Sequence, residues 1–266
     1  MKIKQLESWL SVSHRADRPT ARAPAPADAS VPHSPDLLPP APPAPPQDLK
    51  PFAKPKIQLE QYPTSPWIAA RVMTMCEDAG DISERVVCDL GCGAGMLSCA
   101  AAILEADQVI GVDIDPDALV TARENFDTFE GIGAAVELLE ADVAQAADAL
   151  RLAGRWRVDT VVTNPPFGTR CKGADVAFVR AGFELAPGGV VYSLHKSSTR
   201  EHLAKVGAGL GSVGCEPLIQ MKYDLSASYK FHKEKSKDID VDLWRFPVPE
   251  RLPDLDGLSL GTGAGG

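Results

Sequence analysis

The chain has 266 residues, enough for one α/β domain plus tails, and 44% of them are hydrophobic, so a sizeable core can form. Its formal net charge of −9 argues against a protein that binds nucleic acid over its whole surface, although a local basic patch would suffice for RNA. No stretch approaches the roughly eighteen consecutive apolar residues of a membrane span, Met1 to Leu10 lacks the apolar run of a secretory signal, and Cys76, Cys88, Cys92, Cys99, Cys171 and Cys215 form no CxxC pair, which reads as reduced thiols rather than a metal site.

In residues 1–12, Ile3, Leu6, Trp9 and Leu10 fall at helical spacing and predict a short amphipathic helix. Residues 13–51 are dominated by Pro and Ala with few large apolar side chains, so a disordered or polyproline-like linker is expected. The folded domain is expected over residues 52–246. Thr64 is its first expected N-cap, with Pro66 just inside a helix that carries Trp67, Ile68, Val72, Met73 and Cys76 on one face. Strands are predicted at Val86 to Leu90, Gln108 to Asp113, Ala135 to Glu140, Val158 to Thr163 and Gly189 to Leu194. Helices are predicted from the first glycine turn to Ala106, then over Pro116 to Phe129, Ala174 to Leu185 and Thr199 to Val206. Val213 to Tyr223 and Ile239 to Phe246 read as a closing antiparallel pair. Repeated βα units imply an α/β fold, a seven-stranded and mainly parallel sheet with helices on both faces and a terminal antiparallel strand. Residues 247–266 are rich in Gly and Pro and read as a flexible tail.

In such a sheet ligands bind at the carboxyl ends of the strands. The first strand ends in Asp89-Leu90-Gly91-Cys92-Gly93-Ala94-Gly95, where glycines allow close backbone approach. A GxGxG loop alone also fits a dinucleotide enzyme. Asp89 ahead of the glycines can accept from an amine, and Asp113, at the end of the second strand, can take two ribose hydroxyls. Asp142 follows the third strand, where it can meet an adenine edge. This arrangement resembles the class I S-adenosylmethionine-dependent methyltransferases, a Rossmann-like fold. Their cofactor carries an ammonium, a sulfonium and a ribose but no pyrophosphate, so acidic residues suit it. That weighs against a nicotinamide oxidoreductase.

The fourth strand runs into Asn164-Pro165-Pro166-Phe167-Gly168. Two prolines stiffen the loop and lack backbone donors. The Asn164 side chain and the Pro165 carbonyl could each accept one N–H of a planar amino group, holding its nitrogen in place and favouring a more nucleophilic pyramidal form. Phe167 could stack on a flat base or amide. Positioning would supply most of the rate, with no metal. The loop resembles the [N/D]PP[F/Y/W] motif of amino-group methyltransferases, whose substrates include adenine, cytosine, guanine and the glutamine amide.

Three more segments narrow the resemblance: Lys54 to Thr64 (KPKIQLEQYPT), Ser193 to Arg200 (SLHKSSTR) and Tyr223 to Lys233 (YDLSASYKFHK). With DLGCGAG, DIDPDAL and NPPFGT they resemble the methyltransferase-like protein five family, which forms N6-methyladenosine in small-subunit ribosomal RNA. The resemblance covers about Phe52 to Phe246, and Lys4 to Leu10 resembles the family's first helix. It implies S-adenosyl-L-methionine as cofactor, held by Gln61, Thr64, Gly91, Gly93, Ala94, Met96, Asp113, Asp142 and Val143 together with Asp89. Ala94 and Met96 stand where relatives carry Cys and Val, so side-chain packing there could shift. The long Pro/Ala stretch departs from the family, which has only a short link, and is expected to loop out. The resemblance also implies a small zinc-binding Trm-type methyltransferase activator as heterodimer partner, added to the edge strand near Val136 to Leu139. An apolar edge without Pro is a liability unless it is paired or covered. A location in cytoplasm or nucleus, including the nucleolus, follows from the same source.

Between Lys222 and Lys237 lysines alternate with Tyr223, Tyr229, Phe231 and His232, a mixture suited to single-stranded RNA. Tyr229, Lys230, Phe231, His232 and Lys233 are the expected RNA contacts. Lys196 and Arg200, with His195, are expected to extend the patch, although His195 alone reads more readily as structural. Two other functions fit parts of the sequence. One is a protein glutamine N5-methyltransferase, against which Phe167 in place of Tyr counts. The other is a catalytically silent RNA-binding scaffold, against which the intact Asp113 and Asn164 to Phe167 set counts.

Overall fold

The computed structural model describes residues 49–128, 135–153, 157–168, 170–224 and 238–253. The strands are β1 (Val86–Leu90), β2 (Gln108–Asp113), β3 (Val136–Glu140), β4 (Thr160–Thr163), β5 (Val190–Lys196), β6 (Glu216–Asp224) and β7 (Asp238–Pro247). They form one sheet in the order β3-β2-β1-β4-β5-β7-β6. β1 to β5 run parallel, and β7 lies antiparallel between β5 and β6. The last strand of the chain is thus inserted beside β5 instead of closing the sheet from outside.

The helices are α1 (Pro66–Asp78), α2 (Met96–Ile103), α3 (Pro116–Phe126), α4 (Ala146–Ala153), α5 (Ala174–Leu185) and α6 (Arg200–Gly209). Strand alternation divides the core between them. Val87, Val109, Val162, Tyr192 and Leu243 pack with α1, α2 and α3 on one face. Cys88, Leu90, Ile110, Val161, Val191 and Trp244 pack with α4, α5 and α6 on the other. Covering both faces explains why the central strands read as continuous apolar runs.

Several local expectations shift. Ser65, not Thr64, caps α1, its Oγ accepting from the Ile68 N–H at 3.2 Å. α4 was not expected at all. β5 runs two residues further than predicted and takes in His195 and Lys196. β6 begins at Glu216, and Val213 is 85% exposed in the turn before it. The folded part also starts earlier than Phe52. The Lys50 N–H donates to Asn125 Oδ1 at 2.8 Å, and Asn125 Nδ2 donates to the carbonyls of Lys50 and Ala94 at 3.0 and 2.9 Å. At the other end the backbone stays attached past Phe246, because the Val248 N–H donates to the Gly189 carbonyl and the Gly188 N–H to the Pro249 carbonyl. The expected N-terminal helix, most of the linker and the tail beyond Pro253 lie outside the described residues, as do Tyr229, Lys230, Phe231, His232 and Lys233.

Candidate active site

The carboxyl ends of β1, β2, β3 and β4 surround a cavity of about 810 Å³, within the range of small-molecule sites. All ten residues expected to hold a cofactor line it, from Gln61 and Thr64 through the glycine loop to Asp113, Asp142 and Val143. Asn164 and Pro166 line it as well.

The glycine loop is held by its own backbone. The N–H groups of Gly91 and Cys92 both donate to the Val112 carbonyl, at 2.8 and 2.9 Å. Gly93 N–H donates to Asp113 Oδ2 at 2.8 Å, and Asp115 N–H donates to Asp113 Oδ1 at 2.9 Å. Gly93 has φ 54°, and a Cβ there would come within 2.6 Å of the Phe52 ring, so only glycine lets Phe52 lie on the loop. The N–H groups of Gly91, Cys92 and Gly93 are thus spent inside the protein and withdrawn from any phosphate. The two lysines at the rim are committed too, Lys50 to Glu124 and Lys222 to Asp240. What remains facing the cavity is acidic.

Asp89 is 1% exposed, and its Oδ2 accepts both from Ser98 N–H at 2.9 Å and from Ser98 Oγ at 2.6 Å. Burial pushes its carboxyl up to about 7, against the pull of the Ser98 bonds and with help from the charge of Asp113. Burial also raises Asp113. Asp142 caps a 3-10 turn at Val143–Gln145, accepting from Ala144 N–H.

Residues 49–64 form a strap across this cavity. Gln61 Nε2 donates to Asp115 Oδ2 at 2.7 Å, and Gln61 Oε1 accepts from Lys56 N–H. Lys56 Nζ pairs with Asp115 Oδ1 at 2.5 Å and with Asp117 at 3.1 Å. Burial alone would raise the Asp115 carboxyl, but its bonds from Lys56 and Gln61 outweigh that and lower it. Glu60 is buried, and its Oε1 accepts from Arg170 N–H just beyond the proline loop.

At the proline loop, Thr163 Oγ1 donates to the Leu90 carbonyl at 2.6 Å, tying the end of β4 to the end of β1. Asn164 Nδ2 donates to Thr64 Oγ1 at 3.0 Å and to the Tyr223 hydroxyl at 2.9 Å. Asn164 Oδ1 is buried and has no hydrogen-bond partner. Leaving a buried polar atom unpaired costs about 1–3 kcal/mol, and Glu60 Oε2 and Trp244 Nε1 share that state; Asn164 is set apart because it also lines the cavity with its Nδ2 tied to Thr64 and Tyr223. Pro165 is buried behind it.

Phe167 departs from its expected role. Its ring is 8% exposed and packs against Tyr62, with centroids 6.3 Å apart, and edge-on against Tyr223 at 5.4 Å. It shapes the loop from behind instead of offering an open stacking face. Lys196 Nζ lies 6.0 Å from the centroid of the same ring, which places that lysine beside the catalytic loop.

The basic patch also changes. His195 is 1% exposed in β5, with Nε2 2.7 Å from Ser193 Oγ and Nδ1 3.5 Å from Asp175. Burial lowers its pKa despite Asp175, so it is a neutral structural histidine and no part of an RNA surface. Arg200 forms a bidentate pair with buried Asp242, at 2.5 and 2.7 Å, and reaches Gln220 at 2.8 Å. That pair and the Gln220 bond use Nε and Nη2, so a phosphate contact by Arg200 would fall to Nη1. Tyr223 is 1% exposed and belongs to the core, not to a stacking surface.

Sequence reasoning missed the contributions of Glu60, Ser98, Asp115 and Tyr223. The Tyr223 signal was available. Met221 and Tyr223 alternate on the same buried side of β6, which a period-two reading would have turned inward.

Comparison with known proteins fits this geometry. Residues 72–164, from α1 to Asn164, match the PrmA family, ribosomal protein L11 methyltransferase. The chain is 44% identical over 202 residues to the rRNA N(6)-adenosine-methyltransferase METTL5 of Danio rerio, covering 75% of this chain and 94% of that one. It is 44% identical over 207 residues to the rRNA N(6)-adenosine-methyltransferase Mettl5 of Drosophila melanogaster, covering 76% and 92%. Among solved structures it resembles a candidate RNA methyltransferase from Pyrococcus horikoshii, with a TM-score of 0.63 and 35% identity over 76% of this chain and 93% of that one.

Proposed function

The chain belongs to the METTL5 family of rRNA N(6)-adenosine-methyltransferases, and on that premise we infer that it methylates the exocyclic amino group of an adenine in small-subunit ribosomal RNA. The observation that carries the reading is the buried, unpartnered Oδ1 of Asn164 at the cavity wall.

The cofactor is S-adenosyl-L-methionine, and the residues present fit it. Asp89 and Asp113 offer carboxylates to an ammonium and to ribose hydroxyls and Asp142 to an adenine edge, while the N–H groups of Gly91, Cys92 and Gly93 are occupied. Ala94 and Met96 line the same cavity with apolar surface. When bound, the cofactor supplies a methyl group on a sulfonium.

The chain's part is to hold the acceptor nitrogen. Asn164 Oδ1 accepts one N–H of the adenine amino group, and the Pro165 carbonyl is the second acceptor. Neither proline offers a competing backbone donor. Fixing both N–H bonds orients the nitrogen lone pair along the line of displacement, and such positioning is worth several orders of magnitude in effective concentration. The strap, anchored on Asp115 and Asn125, keeps water from the methyl donor.

Incubation of the chain, co-expressed with the zinc-binding activator, with labelled cofactor and either small-subunit ribosomal RNA or a release-factor protein tests the reading. Label is expected in RNA adenine, with turnover in Asn164→Ala reduced at least about 100-fold. Label in protein would support a glutamine methyltransferase instead, and no label anywhere would support a silent scaffold.

We further propose that the small zinc-binding Trm-type activator adds a strand to β3. Among the described residues this strand is at the sheet edge and pairs with β2 alone, and Leu138 and Leu139 are partly buried against the two cores. For RNA we propose Lys196, beside the catalytic loop, together with the lysine and aromatic segment at residues 229–233.

A further inference from the structure

We propose that Tyr223 is a positioning residue for methyl transfer: its buried hydroxyl locks the Asn164 amide with the carbonyl oxygen toward the substrate.

An asparagine amide is nearly symmetric in shape but opposite in polarity at its two ends. Turned one way, Asn164 presents an acceptor to the incoming amino group. Turned the other, it presents an NH2, which repels a donor. Something must therefore choose, and the choice must hold before substrate arrives. The Tyr223 hydroxyl makes it. That hydroxyl has one proton, and it is spent on the strap, with the Pro63 carbonyl at 3.2 Å and the Tyr62 carbonyl at 3.4 Å. Toward Asn164, 2.9 Å away, only a lone pair is left. The amide must answer with its NH2. Thr64 Oγ1, at 3.0 Å, takes the second amide hydrogen. Both donors being occupied on that side, Oδ1 is the end left buried and unpaired.

The hydroxyl is suited to a fixed role. Tyr223 is 1% exposed, and burial raises its pKa to about 12, so the proton stays in place across the working range. The ring is held edge-on against Phe167 at 5.4 Å, which leaves the hydroxyl little freedom to swing. The chain of contacts also joins three separate elements, namely the strap, the end of β4 and the end of β6. Tyr223 is the penultimate residue of β6, six residues before the start of the lysine and aromatic segment proposed for RNA. It acts through Asn164 and touches neither reacting atom.

The inference rests on the methyl-transfer reading, and the experiment separates the two. The full chain, co-expressed with the zinc-binding activator, is assayed on small-subunit ribosomal RNA as the parent, as Tyr223→Phe, as Asn164→Asp and as the double variant. Tyr223→Phe keeps the ring and its packing and removes only the hydroxyl. Its kcat should fall on the order of 10- to 100-fold, while the cofactor Kd and the RNA KM stay within about twofold. A carboxylate at position 164 has an acceptor oxygen at either end and needs no lock. Adding Tyr223→Phe to Asn164→Asp should therefore cost less than about twofold more. A merely structural tyrosine would produce the same loss in both backgrounds. Equal losses, or a Tyr223→Phe kcat within about twofold of the parent, overturn the inference. If Tyr223→Phe is not recovered folded, Thr64→Ala, which withdraws the other acceptor from the same amide, takes its place in the cycle, read on kcat at saturating cofactor alone because Thr64 also lines the cofactor cavity. An inert parent chain overturns the methyl-transfer reading itself, and the inference with it.

Discussion

Asp89 shows how a single buried carboxyl can carry both a stability cost and a binding function. It is held at about 7 in the folded chain against an ordinary value of 3.8, because burial outweighs the two bonds from Ser98. Between those values the folded chain retains a proton that the unfolded chain has lost, so this group's contribution to stability declines as pH rises from about 4 to 7. Cofactor binding responds in the opposite sense. A cationic ammonium needs the carboxylate, so affinity weakens as pH falls below 7. Between pH 8 and pH 6 the cofactor Kd should rise about tenfold, and Asp89→Asn should be weaker throughout but flat across that range. Titration calorimetry at both pH values checks it, and a parent Kd that does not change would remove Asp89 from the ammonium site. Some residues at this scale were legible and others were not. Asp89, Asp113 and Asn164 announce themselves because they sit at strand ends, Asp89 just ahead of the glycine turn and Asn164 against two prolines. Tyr223 was read outward because lysines surround it in sequence, while its strand alternation places it inside. Arg200 reads as a free cation until β7 brings Asp242 against it from 42 residues away in the chain.

Among elements, strands with short apolar runs were easy to see, and α4 was not. Its sequence AADALRLA is eight residues long with four alanines, and although Ala146, Ala147 and Leu150 share a buried face, that stripe is too short to stand out from the loops around it. β3 was legible as a strand, and its place at the sheet edge gives it an argument of its own. In a parallel ladder the backbone groups of alternate residues point to opposite sides. The Ala135 carbonyl and the Ala141 N–H face β2, with partners at 2.8 and 3.0 Å. Residues 137 and 139 share that direction, so the N–H of Leu138 points away from the sheet, available to an added strand. Leu138→Pro would remove that donor without breaking a bond to β2. The variant should remain folded and keep its own cofactor loop, yet lose co-purification with the zinc-binding activator. If Leu138→Pro does not fold, because its side chain also packs on Gly111, Glu140→Pro removes another outward donor from an exposed position. Stable co-purification of either folded proline variant would rule out strand addition at this edge.

At the scale of the whole molecule, the strap at residues 49–64 joins parts that the sheet alone keeps separate. It reaches α3 through Asn125 and Asp115, the glycine loop through Phe52, and the proline loop through Thr64 and Glu60. Little of this could be read in advance. Residues 49–51 (Leu-Lys-Pro) follow directly on the Pro- and Ala-rich stretch, and their anchor is backbone bonding to an asparagine 75 residues away. The family motif supplied Gln61 and Thr64 as cofactor contacts, without showing that both also hold protein parts together. Asp115 is the joint that matters most for closure. It is 2% exposed, and it accepts from Gln61 and Lys56 of the strap while its Oδ1 caps α3 through Asp117 N–H. Lys56 is partly exposed, and Gln61 holds the same buried carboxylate without it, so Lys56→Ala should change the cofactor Kd by less than about threefold. Asp115→Ser separates the two duties of the aspartate, because serine caps a helix about as well but is too short to reach the strap. Its melting temperature should stay within a few degrees of the parent, whereas cofactor dissociation in stopped flow should be about tenfold faster. Unchanged dissociation together with a lowered melting temperature would mean that Asp115 serves α3 alone, and that the strap closes the cavity by the packing of Phe52 on Gly93 and not by this joint.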